Sequence, residues 1–287
     1  MDNQKKNIIS LSIVALILAI ILLFLMQITH KESIIKDKNP NKILEITEDT
    51  IKNPYYNPSY QDRYIEYQTK NPDLEEEKVI TYVNIGLDQE FYTNIKRTDY
   101  VDTTYLIVNK FHYLDKNYEP EDLEKVDDKY TTKEVYLRKE AKKALIDLIK
   151  QAKKEGYTIK GYSGYRSYNY QKKIYNNYSK LDGVEKADTY SARAGFSEHQ
   201  TGLAIDVNNN VKDYTEFGST KEFEWMEENA HKFGFILRYT KENEWITGYQ
   251  NEPWHYRYVG VEIATYIHEN PITYEEYYVK FIEYKKN

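Results

Sequence analysis

From Ile8 to Ile28 the chain carries no charge, and only Ser10, Ser12 and Gln27 interrupt its apolar character. At a helical rise of about 1.5 Å per residue, such a run spans roughly the 30 Å of a bilayer's hydrocarbon. One transmembrane helix is therefore expected over residues 8–28, and the rest of the chain must fold in a different solvent. Lys5 and Lys6 precede the run, so the positive-inside tendency keeps the N-terminus cytoplasmic and sends everything after His30 outside. A cleaved secretory signal would have a shorter apolar core ending in an A-x-A-like site, and Gln27-Ile28-Thr29-His30 offers none.

Three stretches follow from this: a cytoplasmic tip and anchor (1–30), an extracytoplasmic linker (31–77) and a folded domain (78–287). Pro40, Pro54, Pro58 and Pro72 punctuate the linker, which is polar and holds no sustained apolar period. Its Tyr-rich part, Tyr55 to Tyr67, has the alternative of packing on the domain. The domain has material for a core, since 40% of the chain is hydrophobic and 15% aromatic, too much for a disordered polymer. The chain has no cysteine, which excludes disulfides, thiol nucleophiles and thiolate zinc sites, so any metal must be held by His, Asp or Glu. A net charge of -6 argues against a nucleic-acid partner, because binding a polyphosphate depends on excess Lys and Arg. Oligomeric state leaves no mark in the sequence.

Beyond residue 78 the punctuation is that of a mixed α/β domain. Thr131 or Thr132 is expected to cap a helix running to about Lys154, with Ala141, Leu145, Leu148, Ile149 and Ala152 on one stripe. A strand over Tyr157–Tyr162 and a helix from Ser167 to Tyr178 follow, which puts Arg166 at a strand-to-helix junction. Ser219-x-x-Glu222 reads as the capping box of a third helix, stopped by Gly234 and followed by a strand over 235–239. Two last helices are expected at 261–268 and 273–284.

Two short segments carry chemistry. In Ser197-Glu198-His199-Gln200-Thr201-Gly202-Leu203-Ala204-Ile205-Asp206-Val207, Gly202 permits a tight turn. Leu203, Ile205 and Val207 then alternate with Gly202, Ala204 and Asp206, as in a strand whose first set faces a core. Asp206 thus shares its face with very small side chains. In Glu252-Pro253-Trp254-His255-Tyr256-Arg257-Tyr258-Val259, Pro253 marks a strand entrance, and His255, Arg257 and Val259 share one face. If the His255 face meets the Asp206 face with His199 folded beside it, two imidazoles and a carboxylate converge and leave a fourth position open. That is the layout of a catalytic zinc site. Glu252 would stand at its rim, able to accept a proton from water. Singly, each residue has a plainer reading, such as a hydrogen-bonded core His, a turn-starting Asp, a solvated Glu or an Arg in an ordinary ion pair. Their joint occurrence favours the metal site. His30, His112, His231 and His268 lack such company, and the HExxH signature is absent.

Ser197-x-His199-x-x-Gly202-x-Ala204-x-Asp206 followed by Glu252-x-Trp254-His255 resembles the zinc D-Ala-releasing carboxypeptidases of the VanY/LdcB group, peptidase family M15. Leu106–Lys110, Ser163-Gly164-Tyr165-Arg166-Ser167 with Gln171, and Tyr258–Ala264 extend the similarity over about residues 80–287. Arg193-Ala194-Gly195 departs from it, since the family often has a proline before that glycine. The resemblance implies an α+β fold of the M15/LAS type, a small central antiparallel sheet with helices packed around it. It implies one Zn²⁺ per chain held by His199, Asp206 and His255, with Glu252 as general base. It further implies that Arg166 stabilises the oxyanion and that Ser197 and Gln171 bind substrate, here the terminal D-Ala of peptidoglycan stem peptides. A catalytically silent wall-binding domain of the same fold and a zinc wall endopeptidase are the alternatives. The first would normally have lost a ligand or the Glu, and neither is missing.

Overall fold

The computed structural model describes residues 50, 52–209 and 213–283. The expected anchor lies outside the described residues, and among these no helix is long and apolar enough to cross a membrane. The described residues fall into two units, one of 50, 52 and 58–79, the other of 53–57 with 80–283. In the first, a 3-10 turn at Pro58–Tyr60 leads into α1 (Gln61–Lys70). Pro72 stands just beyond its end, as expected of a residue that disfavours helix before it. The Gln68 side-chain amide ties down the exit by donating to the carbonyls of Asn71 and Leu74, at 3.0 and 3.1 Å. α2 (Glu76–Ile85) begins in this unit and ends in the second. Part of the expected linker is therefore helical.

The second unit contains β1 (Lys96–Arg97) parallel to β2 (His112–Tyr113), and β3 (Leu123–Lys125) antiparallel to β4 (Tyr136–Arg138). Its main sheet is four antiparallel strands, β5 (Lys160–Ser163), β6 (Ala204–Asn208), β7 (Phe235–Leu237) and β8 (His255–Tyr258), in the order β5-β6-β8-β7. The α+β class with a small antiparallel sheet is thus observed. Leu203, Ile205 and Val207 join the core from one side of β6, as period two requires. Against them packs α3 (Lys139–Lys154), whose buried stripe is Ala141, Leu145, Leu148, Ile149 and Ala152, the five residues expected from the 3.6 period.

The start of α3 differs from expectation. It begins at Lys139, because Val135 and Leu137 are buried while Tyr136 between them is exposed, a period of two that makes Tyr136–Arg138 a strand on β3. Thr131 and Thr132 cap nothing there; Thr131 bridges to Gly161 and the Thr132 amide donates to the Gly161 carbonyl. β5 is shifted to 160–163. α4 (Tyr168–Asp182) is capped by Ser167, whose hydroxyl accepts from the Tyr170 amide, and it outruns the expected end at Tyr178. After a short α5 (Val184–Ala187), α6 (Lys221–Asn229) is capped by Thr220 rather than Ser219. Ser219 lies in the preceding 3-10 turn, and Glu222 is buried, accepting from the Asn209 amide and the Thr158 backbone instead of closing a capping box. α7 (Glu244–Thr247), α8 (Val261–Glu269) and α9 (Tyr274–Phe281) complete the unit, the last with a full capping box between Thr273 and Glu276.

Candidate active site

The pairing register of β6 and β8 sets Asp206 directly opposite His255. Small neighbours keep this lane clear, Ala204 lying two positions before Asp206 on the same face. His199 arrives from a 3-10 turn, Glu198–Thr201, which ends at Gly202 in the left-handed region (φ +67°). A side chain at Gly202 would be strained in φ and would meet Leu123 Cδ2 at 2.8 Å, so glycine is required for the chain to turn into β6. The His199 ring is fixed by its Nδ1, 2.6 Å from the Gly164 carbonyl. Gly164 is itself a close approach, because a Cβ there would run into the Tyr136 carbonyl oxygen.

These contacts bring three ligand atoms of His199, Asp206 and His255 within 4.8 Å of one another. Asp206 Oδ1 lies 3.4 Å from His199 Nε2 and 3.1 Å from His255 Nδ1. All three residues are buried. His199 Nε2 is buried without a hydrogen-bond partner, a costly state for a nitrogen lone pair unless something else takes it. Two imidazoles and one carboxylate are hard-to-borderline donors suited to Zn²⁺ with one position left open. On the observation of that orphaned nitrogen, the residues fit the metal.

Electrostatics prepare the set unequally. Burial, aided by the Arg166 charge, pushes His199 down to about 4, so its ring is neutral with a free lone pair. Burial opposes ionisation of Asp206, but the two imidazoles outweigh it and hold the carboxyl well below the usual range. Burial also opposes charge on His255, yet Asp206 and Glu198 hydrogen bonds raise it to about 9. Without metal, His255 therefore holds a proton that a cation must displace.

Glu252 Oε2 lies 3.7 Å from His255 Nδ1, on the same side as the ligand atoms. Burial pushes its carboxyl up to about 7, Asp206 adding to the rise and His255 and Arg166 opposing it. Arg166 stands at the β5–α4 junction, with Nη2 3.9 Å from Asp206 Oδ2 and its Nε buried without a partner. Gln171 accepts from Arg166 Nη1 at 3.0 Å and donates to the Ala192 carbonyl at 2.7 Å, so both ends of its amide are engaged and it braces Arg166. Ser197 lines, with Arg166, Gln171, Glu252 and the two histidines, a cavity of about 60 Å³. A larger cleft of about 560 Å³ also reaches Arg166, Asp206 and Glu252, walled by Tyr162, Tyr214 and Trp254.

The sequence points to His199, Asp206, His255, Glu252, Arg166, Ser197 and Gln171, which the structure brings together, but not to Tyr162 and Tyr214 or to the buried charges around Glu198. Glu198, one residue before His199, accepts from Arg238 Nε at 2.9 Å and Arg257 Nη1 at 3.0 Å, and lies 3.3 Å from His255 Nε2. Arg238 is held from its far side by Glu275 at 2.9 and 2.5 Å. The available signal was period two, which puts Arg257 on the His255 face of β8.

A central antiparallel sheet carrying a buried His-Asp-His cluster has the donor set of a zinc centre with one open position, and comparison with known proteins places it among zinc peptidases. The family model for VanY, D-alanyl-D-alanine carboxypeptidase, matches residues 134–261. A putative carboxypeptidase of Bacillus subtilis (strain 168), YodJ, is 43% identical over 208 residues, covering 68% of this chain and 76% of that one. The LdcB LD-carboxypeptidase structure superposes with a TM-score of 0.57 at 46% identity, over 60% of this chain and 84% of that one. A glutamate-to-alanine mutant of the vancomycin-resistance D,D-pentapeptidase VanY, solved in complex with Zn(II), gives a TM-score of 0.52 at 33% identity, over 61% and 98%. The chain belongs to the VanY family of zinc D-alanyl-D-alanine carboxypeptidases.

Proposed function

We propose that this protein is a membrane-anchored carboxypeptidase that removes the C-terminal D-Ala from peptidoglycan stem peptides, with residues 1–30 as tip and anchor, 31–77 as linker and 78–287 as the extracytoplasmic catalytic domain. The uncharged run 8–28 supports the anchor and its orientation. His199, Asp206 and His255 would hold the zinc, which supplies a Lewis acid that acidifies water and polarises the scissile carbonyl. Glu252 takes a proton from the attacking water and returns it to the departing amine. In the metal-free site burial pushes its carboxyl up to about 7, which favours its taking a proton. Arg166 faces the same space with an unpartnered Nε–H, a fixed positive donor for the oxygen that gains charge. Ser197 lines the small cavity where a terminal residue would sit, and Gln171 acts there through its hold on Arg166.

The observation that carries this reading is the small cavity beside the ligand atoms. At about 60 Å³ it is confined, beside a cleft of about 560 Å³ that reaches the same Arg166 and Glu252, an arrangement that favours a small terminal group on that side over a continuing chain. A complete ligand set with a poised Glu252 argues against a silent wall-binding domain. Mass spectrometry of stem tripeptide, tetrapeptide and pentapeptide incubated with the zinc-loaded protein tests it. Loss of one alanine from the pentapeptide, the tetrapeptide or both is expected, and cuts within the peptide or no cleavage would overturn it.

A further inference from the structure

The two oxygens of Glu198 are divided between different partners. Oε1 accepts from both guanidiniums, Arg238 Nε at 2.9 Å and Arg257 Nη1 at 3.0 Å. Oε2 faces His255 Nε2 at 3.3 Å. Neither Arg can swing away. Arg238 is gripped by Glu275, and Arg257 Nη2 donates to the carbonyls of Thr104 and Leu106 at 3.0 and 2.8 Å. Glu198, Arg238 and Arg257 are all buried, Arg257 completely. Stability alone is a poor reason for such a cluster, since buried ion pairs are often no better than apolar replacements of similar volume.

We infer that Glu198 is the positioning residue of the metal centre: it accepts the Nε2–H of His255 and so fixes that ring with its Nδ1 lone pair towards His199 Nε2 and Asp206. A neutral imidazole has one N–H and one lone pair, and the hydrogen bond made by one nitrogen decides which tautomer the other presents. The two guanidiniums keep Glu198 an ionised acceptor, and a carboxylate behind a ligating histidine both orients the ring and raises its basicity. His199 is oriented differently, by the neutral carbonyl of Gly164. The centre therefore has one charged and one uncharged brace, and the charged one is shared with α9 through Arg238 and Glu275.

This inference rests on the reading of His199, Asp206 and His255 as the zinc site, and the test separates the two. Zinc affinity of the full chain is measured by competition with a chromophoric chelator for the unaltered protein, Glu198→Gln and Glu275→Gln. Both variants take one carboxylate from Arg238, but only Glu198 touches His255. Glu198→Gln should weaken zinc binding about 10- to 100-fold and shift the visible bands of the Co²⁺-substituted protein, and Glu275→Gln should do neither beyond about threefold. Unchanged affinity in Glu198→Gln, or equal losses in both variants, would overturn the role of Glu198 while leaving the zinc site intact. An unaltered protein that binds no zinc would remove the site itself and the inference with it. If Glu198→Gln does not fold, imidazole ¹⁵N–¹H spectra of the unaltered zinc protein decide: a proton on His255 Nε2 supports the role, and a proton on Nδ1 refutes it.

Discussion

Two glutamates flank one imidazole. On the cleft side Glu252 Oε2 lies 3.7 Å from His255 Nδ1, and on the core side Glu198 Oε2 lies 3.3 Å from Nε2. Burial raises both carboxyls, yet the outcomes are opposite. Glu252 is pushed up to about 7, whereas Arg238 and Arg257 outweigh burial at Glu198 and hold it well below the usual range. The difference is the pair of guanidiniums, which fixes one glutamate as a permanent anion and leaves the other free to take and give a proton. Depth in the protein does not set the task of a carboxylate; its charged neighbours do.

The sharpest way to break this comparison is Glu252→Gln. The amide keeps the shape but cannot accept a proton, so kcat should fall by about 10²- to 10⁴-fold while zinc content stays at about one per chain by metal analysis. A variant with full turnover would place the proton transfer elsewhere. Arg166→Ala attacks the same cleft side without touching the proton acceptor. Loss of one fixed donor to a developing oxyanion should lower kcat about 10²- to 10³-fold, with zinc retained. Loss of zinc instead would mean that Arg166 serves the metal centre through Asp206, 3.9 Å away. A smaller effect concerns the imidazole between the glutamates. His255 is raised to about 9 in the metal-free protein, so zinc must displace its proton. Apparent zinc affinity should then rise by up to about tenfold per pH unit from pH 7 to 9 and level off above, which competition titrations would show. The same shift has a sign for stability. A group raised from about 6.5 unfolded to about 9 folded contributes fully below pH 6.5 and loses its contribution as pH rises through 9. The melting temperature of the chelator-treated protein should accordingly fall over that window.

The cleft side of His255 was legible in the sequence because its information is local. Alternation in 203–207 and 255–259 fixes which side chains share a face, and a one-residue slip of β6 against β8 would turn Asp206 away from His255. The core side was not legible for the same reason. Glu198, Arg238 and Glu275 come from a 3-10 turn, the residue just after β7, and α9, and no periodicity links positions so far apart. Local misreadings had local causes. Thr131 and Thr132 are as good on a strand edge as at a helix N-terminus, and the alternation of Val135, Tyr136 and Leu137 was the better signal. Ser219 and Thr220 are both capping residues one position apart, and only the Phe223 amide, 3.2 Å from the Thr220 hydroxyl, decides between them.

The capping box of α9 gives the smallest and most discriminating test of how rigid the core side is. Thr273 Oγ1 accepts from the Glu276 amide at 3.1 Å, and the Thr273 amide donates to Glu276 Oε2 at 2.8 Å, so the first turn is closed at the point where Glu275 projects onto Arg238. Thr273→Ala removes the side-chain half of this box and should cost about 1 kcal/mol in urea unfolding. Glu275 would still be held by two bonds to Arg238, and Arg238 by Glu198, so the position of the Glu198 carboxylate should not change. Zinc affinity in Thr273→Ala should therefore match the unaltered protein within about twofold. A matching loss of zinc affinity would show that α9 itself, and not the guanidinium pair, sets where Glu198 meets His255, and the contrast between the two glutamates would then reach back to the C-terminal helix.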